Sequence, residues 1–120
     1  MCIRDRAYGL GIDKNYGSCL CARDKLLRLG FSERSDIING DWSDALRGSF
    51  DLIITNLPYI KSTDMDELPD AVIGYDPPYA LDGGRDGVQC YREVLASCVH
   101  VCHDVVILEV NEDVYPIVRQ

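Results

Sequence analysis

The sequence has few positive charges and lacks the long apolar runs of membrane proteins. Its 12 Lys and Arg residues stand against 20 Asp and Glu residues, which gives a net charge of −8. This balance counts against a nucleic-acid partner, because binding to a phosphate backbone requires clustered Lys and Arg. No apolar run approaches the roughly 18 residues of a membrane span, and no signal-peptide pattern is found. We therefore expect a cytoplasmic protein that binds neither nucleic acid nor a membrane.

Cysteine is present, but it is not spaced as in zinc or redox sites. The 6 cysteines include no C-x-x-C pair, which is the usual arrangement in such sites. One cluster, Cys98-Val-His100-Val-Cys102-His103, has the residue types of metal ligands. These residues come from a single segment with no second cluster, so we expect no metal site. Reduced and mostly buried thiols are the expectation.

The chain, at 120 residues, has the length of one small domain, and its hydrophobic fraction of 47% is ordinary for a globular core. An amphipathic pattern closed by a glycine predicts a helix over 16–29. A second helix, expected to bury Val88, Val94 and Leu95, is predicted over 88–99. Short apolar runs predict strands that end near Ile12, cover 36–39 and cover 105–110. This order of elements fits a small parallel α/β fold.

The stretch Phe50–Ile60 contains the clearest pattern of a functional site. Its short apolar run is rich in β-branched residues, which predicts a buried strand of a parallel sheet that is apolar on both faces. The run ends at Asn56-Leu57-Pro58-Tyr59, and ligands of open α/β sheets bind beyond the carboxyl ends of strands. Asn56 can donate and accept hydrogen bonds, and Tyr59 offers a flat apolar face. Together they could hold a planar nitrogen group.

This segment resembles motif IV of S-adenosylmethionine-dependent methyltransferases that act on planar nitrogen. That family usually reads Asn-Pro-Pro-Tyr, and Leu57 stands here at the second position. A plain turn is the alternative, because Asn-x-Pro is a common turn sequence. Asp76–Tyr79 matches the (Asn/Asp)-Pro-Pro-Tyr pattern more closely, but no buried strand is predicted before it. We interpret that second match as coincidental.

Two further segments resemble the cofactor pocket of these enzymes. Asp13 follows the first predicted strand, where the family has an acidic residue that binds the ribose hydroxyls of S-adenosylmethionine. Asp41 and Trp42 follow the next strand and resemble the adenine-binding turn, in which the acid meets the exocyclic amine and its neighbour lies against the ring. Each has a plain alternative: an acid at a helix N-terminus, or an aromatic residue of the surface or core.

The segment Ala80–Gly87 is the most specific motif in the chain. It reads Ala-Leu-x-Gly-Gly-x-Asp-Gly, follows an acid-Pro pair and precedes Tyr91-Arg92. This pattern closely resembles the protein-glutamine methyltransferases of the PrmC/HemK type, which modify the glutamine of the Gly-Gly-Gln loop in class I peptide-chain release factors. The glycines would allow tight backbone turns, and Asp86 is expected to cap the helix that follows.

The resemblance covers residues 7–120 and implies a Rossmann-like class I S-adenosylmethionine-dependent methyltransferase fold that is incomplete. Gly9 and Gly11 come too close to Asp13 to be the glycine-rich loop of the cofactor site. We therefore expect the first strand, that loop and the C-terminal hairpin to be missing, so that 7–120 form a partial catalytic domain. Residues 1–6, Met-Cys-Ile-Arg-Asp-Arg, fit no part of the pattern and are interpreted as a non-native leader.

The implied activity is an N-methyltransferase that uses S-adenosyl-L-methionine to methylate the glutamine side-chain amide of a class I release factor. Asn56 and the backbone carbonyl of Leu57 would accept hydrogen bonds from the substrate NH2, while Tyr59 packs against the amide and Pro58 stiffens the turn. Asn56 and Tyr59 are thus the implied catalytic residues, and Asn56 also borders the cofactor. Leu57 in place of proline predicts lower rigidity rather than lost chemistry, because proline fixes φ.

Two alternatives to this function stay open. Asn-Leu-Pro-Tyr is the form seen in ribosomal RNA adenine dimethyltransferases, where Asn56 and Tyr59 would hold a flipped adenine. The acidic charge and the segment Ala80–Gly87 favour the protein substrate over RNA. The other alternative is an inactive truncated fragment that binds neither cofactor nor substrate. Because the first strand and the glycine-rich loop are expected to be missing, we expect the 120 residues by themselves to be weakly active or inactive.

Overall fold

The computed structural model describes residues 7–42 and 46–119, so the leader interpretation of residues 1–6 lies outside the described residues. Within them the chain is a mixture of helices and short parallel strands, which confirms the α/β class at this level. The strands are β1 (Gly9–Asp13), β2 (Ser35–Asn39), β3 (Phe50–Asn56) and β4 (Cys102–Glu109). The α-helices are α1 (Tyr16–Arg28), α2 (Asp70–Ile73), α3 (Gln89–Cys98) and α4 (Tyr115–Val118). Two short 3₁₀ segments cover Ser62–Glu67 and Pro78–Ala80.

The chain divides into two compact units, Met1–Leu46 and Arg47–Gln120. The assignment of 7–120 to a single partial catalytic domain stays a prediction. Each unit contains one pair of parallel strands, β1 with β2 and β3 with β4. Parallel strands need a long crossover connection, and a helix supplies one between each pair here.

The first unit is a strand–helix–strand motif. β1 and β2 pair in parallel from Gly9 opposite Ser35 to Asp13 opposite Asn39. The helix α1 begins where the Asn15 side chain accepts a hydrogen bond of 2.9 Å from the N–H of Ser18, as N-cap asparagines do. Cys19, which is 1% exposed, donates through its thiol to the carbonyl of Asp13 at 3.2 Å. This contact holds α1 against the carboxyl end of β1.

The second unit pairs β3 with β4 in parallel from Leu52 opposite Val105 to Asn56 opposite Glu109. The prediction that β3 is buried on both faces is wrong, because Leu52 is 48% exposed and Ile54 is 70% exposed. An unbroken apolar run does not show which face is covered, since this depends on what packs against the strand. Here the burial alternates along β3, so one face carries the exposed leucine and isoleucine.

The core of the second unit is built largely from α3 and the turns around it. Its buried hydrophobic side chains are Leu57, Val88, Tyr91, Val94, Cys98, Val101 and Val114. The helix expected over 88–99 is confirmed as α3, but Leu95 is 37% exposed rather than buried. Asp86 does not occupy the N-cap position, which belongs to Val88. It accepts a hydrogen bond of 3.2 Å from the N–H of Val88 and pairs with Arg92 at 2.6 Å.

The described residues bear on the membrane and metal expectations as well. In residues 7–42 and 46–119, no helix is long and apolar enough to cross a membrane. The same residues contain no group of three or more His, Cys, Asp or Glu side chains arranged to hold a metal ion. None of the five described cysteines forms a disulfide: Cys19 and Cys98 are buried, Cys90 and Cys102 are half-buried, and Cys21 is exposed. The expectation of mostly buried thiols is therefore confirmed only in part.

Candidate functional site

The segment Asn56–Tyr59 lies at the carboxyl end of β3, as the sequence predicts. Asn56 is the last residue of the strand and is exposed, with Glu109 of β4 as its partner in the register. Leu57 turns inward and is only 4% exposed, whereas Pro58 and Tyr59 are half-buried. The end of β3 thus presents the polar amide of Asn56 to solvent, and the next residue, Leu57, is anchored by its buried side chain.

The segment Leu81–Val88 lies directly against this strand end. The N–H of Ile60 donates to the carbonyl of Leu81 at 3.1 Å, and the N–H of Gly83 donates to the carbonyl of Ile60 at 2.7 Å. These two bonds form a parallel bridge between Ile60 and Asp82. The backbone that leaves the candidate site is therefore paired with the glycine-containing segment.

Two glycines of that segment make close backbone contacts that sequence reasoning missed. A Cβ on Gly83 would lie 2.8 Å from the carbonyl oxygen of Pro58 and 2.8 Å from the Cα of Tyr59. A Cβ on Gly87 would lie 2.6 Å from the carbonyl oxygen of Tyr59, and Gly87 also has a φ of +76°. Tight turns alone do not explain these glycines, because a side chain at either one would collide with the backbone of the candidate site.

The Asp82 side chain connects the turn at Gly83 and Gly84 to Ser62, in the loop that follows the candidate site. One carboxylate oxygen accepts hydrogen bonds from the N–H of Gly84 at 2.8 Å and from the hydroxyl of Ser62 at 2.7 Å. The N–H of Ser62 donates to the carbonyl of Gly84 at 3.0 Å, and the N–H of Gln89 donates to the carbonyl of Gly83 at 3.0 Å. The segment is thus held both to the loop after the site and to the start of α3.

Tyr91 connects α3 to the carboxyl end of β4. It is 1% exposed, and its hydroxyl donates a hydrogen bond of 2.8 Å to the carbonyl of Glu109. Burial raises the pKa of Tyr91 above its ordinary value of 10.0, and the nearby acidic groups of Tyr59 and Glu109 raise it further. The hydroxyl therefore stays protonated and remains a donor at neutral pH.

Thr55 introduces an unusual feature one residue before Asn56. Its hydroxyl oxygen is buried and has no hydrogen-bond partner among the described residues. An unpaired buried hydroxyl costs about 1–3 kcal/mol. Sequence reasoning gave no signal for it, because a threonine in an apolar strand is ordinary.

The second match to the methyltransferase motif, Asp76–Tyr79, has a different setting. It follows the short helix α2 rather than a strand, and Pro77 leads into the 3₁₀ segment Pro78–Ala80. Tyr79 is 43% exposed. The absence of a feeding strand within the described residues agrees with the interpretation of this match as coincidental.

Three of the four residues expected to bind the cofactor, Asp13, Asp41 and Trp42, lie in the first unit, whereas Asn56 lies in the second. Asp13 ends β1 with an exposed side chain, and one carboxylate oxygen accepts a hydrogen bond of 2.7 Å from the N–H of Asn15. The N–H of Gly40 donates to the carbonyl of Asp13 at 3.1 Å, which brings the turn after β2 beside the end of β1. Asp41 in that turn is exposed and lies 3.9 Å from the ammonium of Lys14.

Trp42 has an uncommon backbone conformation in the same turn. Its φ is +44°, in the left-handed region that bulky residues rarely adopt. Such conformations are found at ligand sites more often than elsewhere, because the surrounding structure must enforce them. The structure therefore groups Asp13, Asp41 and Trp42 at one strand edge and, in the other unit, Asn56 with Leu57, Pro58 and Tyr59.

Comparison with known proteins supports the resemblance found in the sequence, although no protein-family model matches the chain. The chain is 44% identical over 94 residues to a release factor glutamine methyltransferase of Rhodospirillum rubrum, covering 78% of this chain and 29% of that protein. It is 38% identical over 99 residues to the protein of the same name from Caulobacter vibrioides, covering 82% and 34%. It is 30% identical over 101 residues to the Homo sapiens MTRF1L release factor glutamine methyltransferase, covering 79% and 30%.

The chain is homologous to part of the release factor glutamine methyltransferases. Identities of this size over most of the chain confirm the resemblance that Asn56–Tyr59 and Ala80–Gly87 indicate. The chain spans about a third of the length of the curated relatives it matches.

Proposed function

We propose that this chain carries the substrate site of an S-adenosyl-L-methionine-dependent methyltransferase that modifies a glutamine side-chain amide in the Gly-Gly-Gln loop of class I peptide-chain release factors. The observation that carries the proposal is the placement of Asn56–Tyr59 at the carboxyl end of β3, against the segment Leu81–Val88. The relatives are named release factor glutamine methyltransferases, which supports a glutamine of a release factor as the substrate. The fold we propose is Rossmann-like, of the class I methyltransferase type, and the parallel strand pairs with their crossover helices support it.

The chemistry requires a site that orients an amide. An amide nitrogen is a poor nucleophile because its lone pair is delocalised into the carbonyl. Binding that holds this lone pair in line with the methyl group lowers the barrier by fixing the geometry of attack. In this proposal the Asn56 side-chain oxygen and the Leu57 carbonyl accept the two N–H groups of the substrate, and Tyr59 covers the amide plane.

The burial of Leu57 bears on the difference between this chain and the usual family motif. Proline at this position would fix φ through its ring. The Leu57 side chain is 4% exposed, so packing holds the residue in place. We propose that this packing replaces part of the rigidity that the ring would supply, and that the Leu57 carbonyl keeps its role as acceptor.

The residues of the first unit fit the cofactor expected for a methyltransferase. S-adenosyl-L-methionine supplies an electrophilic methyl group on its sulfonium. The exposed carboxylate of Asp13 can accept hydrogen bonds from ribose hydroxyls, and that of Asp41 can accept one from the adenine amine. The Trp42 ring, on a backbone with φ +44°, can lie against the adenine. The ion pair between Lys14 and Asp41 competes only weakly with adenine for the Asp41 carboxylate, because an exposed ion pair at 3.9 Å contributes little binding free energy.

A transfer assay tests the substrate class. The chain is incubated with S-adenosyl-L-methionine labelled in its methyl group, and with either a class I release factor or ribosomal RNA. The proposal expects label in the release factor and none in the RNA. It also expects loss of labelling when the glutamine of the Gly-Gly-Gln loop is replaced by alanine. Label in the RNA, or none in the intact release factor, would overturn it.

A further inference from the structure

Gly83 and Gly87 lie so close to the backbone of Pro58 and Tyr59 that neither position has room for a side chain. Both glycines touch the backbone that immediately follows Leu57, and both lie in a segment whose residues do not form part of the proposed amide site. A Cβ on Gly83 would meet backbone atoms of Pro58, Tyr59 and Gly87, each at 2.8 Å. Because these are backbone atoms rather than the far ends of flexible side chains, rotamer changes cannot relieve the collision.

We propose that Gly83 and Gly87 are positioning residues for the amide-binding segment: the missing side chains let the backbone of Pro58 and Tyr59 lie where it aims the Leu57 carbonyl and the Tyr59 ring. This inference rests on the proposed function for the identity of the substrate. Its structural part, the dependence of 57–60 on the two glycines, stands on the contacts alone.

Hydrogen bonds join the segment that contains Gly83 to Ile60, so a shift of this segment also shifts the backbone that follows the candidate site. Gly83 donates to Ile60, and Ile60 donates to Leu81, so the two segments move together. A Cβ at Gly87 needs about 1 Å of additional room, because it would lie 2.6 Å from the Tyr59 carbonyl oxygen, whereas an ordinary contact of a Cβ is 3.4–4 Å. A misplacement of about 1 Å can lower a catalytic rate by about a hundredfold.

Other glycines offer matched controls. Gly30 has a φ of +72°, close to the +76° of Gly87, but a Cβ there would meet no described atom within 4 Å. Gly30→Ala therefore reproduces the backbone strain of Gly87→Ala without the collision. Gly9 has no such strain, and its Cβ would lie 3.8 Å from the Cβ of Ser35, an ordinary contact. Gly9→Ala is the matched control for Gly83→Ala.

Amide hydrogen exchange measures the positioning independently of the reaction. We expect Gly83→Ala and Gly87→Ala to speed exchange at the Ile60 amide by about tenfold or more relative to their controls. Methylation kinetics add a second readout: kcat for the release factor falls by about a hundredfold while the Kd for S-adenosyl-L-methionine stays within about twofold of the control. A general loss of structure would instead change both.

A milder variant keeps the inference testable if an alanine prevents folding. Ser62→Ala removes the 2.7 Å bond to Asp82 without adding an atom, and Ser97→Ala, which removes a bond inside α3, is its control. We expect Ser62→Ala to speed exchange at Ile60 and Ser97→Ala to leave it unchanged.

The inference is overturned if Ile60 exchanges in the glycine variants and in Ser62→Ala as slowly as in the controls. It is also overturned if kcat is retained when Ile60 exchange is accelerated. An unmodified release factor with the wild-type chain would contradict the proposed function instead, and the exchange data would still decide whether the glycines position the segment.

Discussion

The hydroxyl of Tyr91 donates a hydrogen bond of 2.8 Å to the backbone carbonyl of Glu109, which joins the middle of α3 to the carboxyl end of β4. Glu109 pairs with Asn56 in the register of the two strands, so this bond lies next to the end of β3. Tyr91 is 1% exposed, and its ring packs in the core of the second unit. A single side chain therefore supports both the core and the strand edge that carries the candidate site.

Removal of the Tyr91 hydroxyl tests how much this bond stabilises the fold. We expect Tyr91→Phe to lower the free energy of unfolding by about 1 kcal/mol, because the ring stays while the carbonyl of Glu109 loses its donor. Urea denaturation gives the difference, and Tyr75→Phe at a position that is 89% exposed is the control. Equal unfolding midpoints for the two variants would contradict a stabilising bond.

The pair formed by Asp86 and Arg92 predicts a dependence of stability on acid pH. The guanidinium of Arg92 and the N–H of Val88 lower the pKa of Asp86 below its ordinary value of 3.8. The pKa of Asp86 is lower in the folded than in the unfolded state. The ionised carboxylate therefore stabilises the fold fully above pH 3.8, and this stabilisation is lost as the pH falls through the folded pKa.

Asp86→Asn removes this charge and checks the sign. We expect the difference in unfolding midpoint between the wild type and Asp86→Asn to be constant near neutral pH and to become smaller below pH 3.8. Asp104→Asn, at an exposed position of β4 outside this pair, is the control. A difference that grows on acidification would show that Asp86 is not stabilised as the ionised form.

The contribution of Leu57 to stability can be compared with that of Leu52, a leucine of the preceding strand β3. Leu57 is 4% exposed and Leu52 is 48% exposed. We expect Leu57→Ala to lower the free energy of unfolding by roughly 2–4 kcal/mol, since it leaves a cavity in the core, and Leu52→Ala to cost clearly less. Denaturation of both variants decides the point, and similar losses would mean that Leu57 is not anchored by packing.

Calorimetric titration with S-adenosyl-L-methionine tests the proposed role of Asp13. We expect Asp13→Ala to weaken binding by about tenfold or more, because a hydrogen bond to a charged group is worth about 1.5–3 kcal/mol. Asp24→Ala is the control, since Asp24 is an exposed acid on α1 that pairs with Arg28 at 2.8 Å. Equal weakening in both variants, or in neither, would remove Asp13 from the cofactor site.

Local patterns predict much of the secondary structure of this chain. The helix expected over 16–29 is observed as Tyr16–Arg28, and the strand expected over 36–39 is observed as Ser35–Asn39. In both, the relevant signals lie within the element or at its ends, as with Gly30, which follows α1 with a φ of +72°. The strand end at Asn56 was predictable for the same reason.

Features that depend on distant parts of the chain were not predictable from such patterns. The exposed face of β3 depends on what packs against the strand, and the apolar run contains no information on this. The contacts of Gly83 and Gly87 with Pro58 and Tyr59 join segments far apart in the sequence. A glycine that permits a turn and a glycine that permits a close approach look alike in one sequence. The roles of Asn56, Tyr59, Asp13, Asp41 and Trp42 stay predictions.

Mass spectrometry of a class I release factor tests the central proposal most directly. After incubation with the chain and S-adenosyl-L-methionine, the peptide that contains the Gly-Gly-Gln loop is fragmented to locate any added methyl group. Asn56→Ala is compared with the control Asn111→Ala. The Asn111 side-chain oxygen accepts a hydrogen bond from the N–H of Val114 and is not part of the proposed site. We expect one methyl group on the glutamine amide with the wild type and with Asn111→Ala, and none with Asn56→Ala. An unmodified glutamine with the wild type, or full methylation by Asn56→Ala, would contradict it.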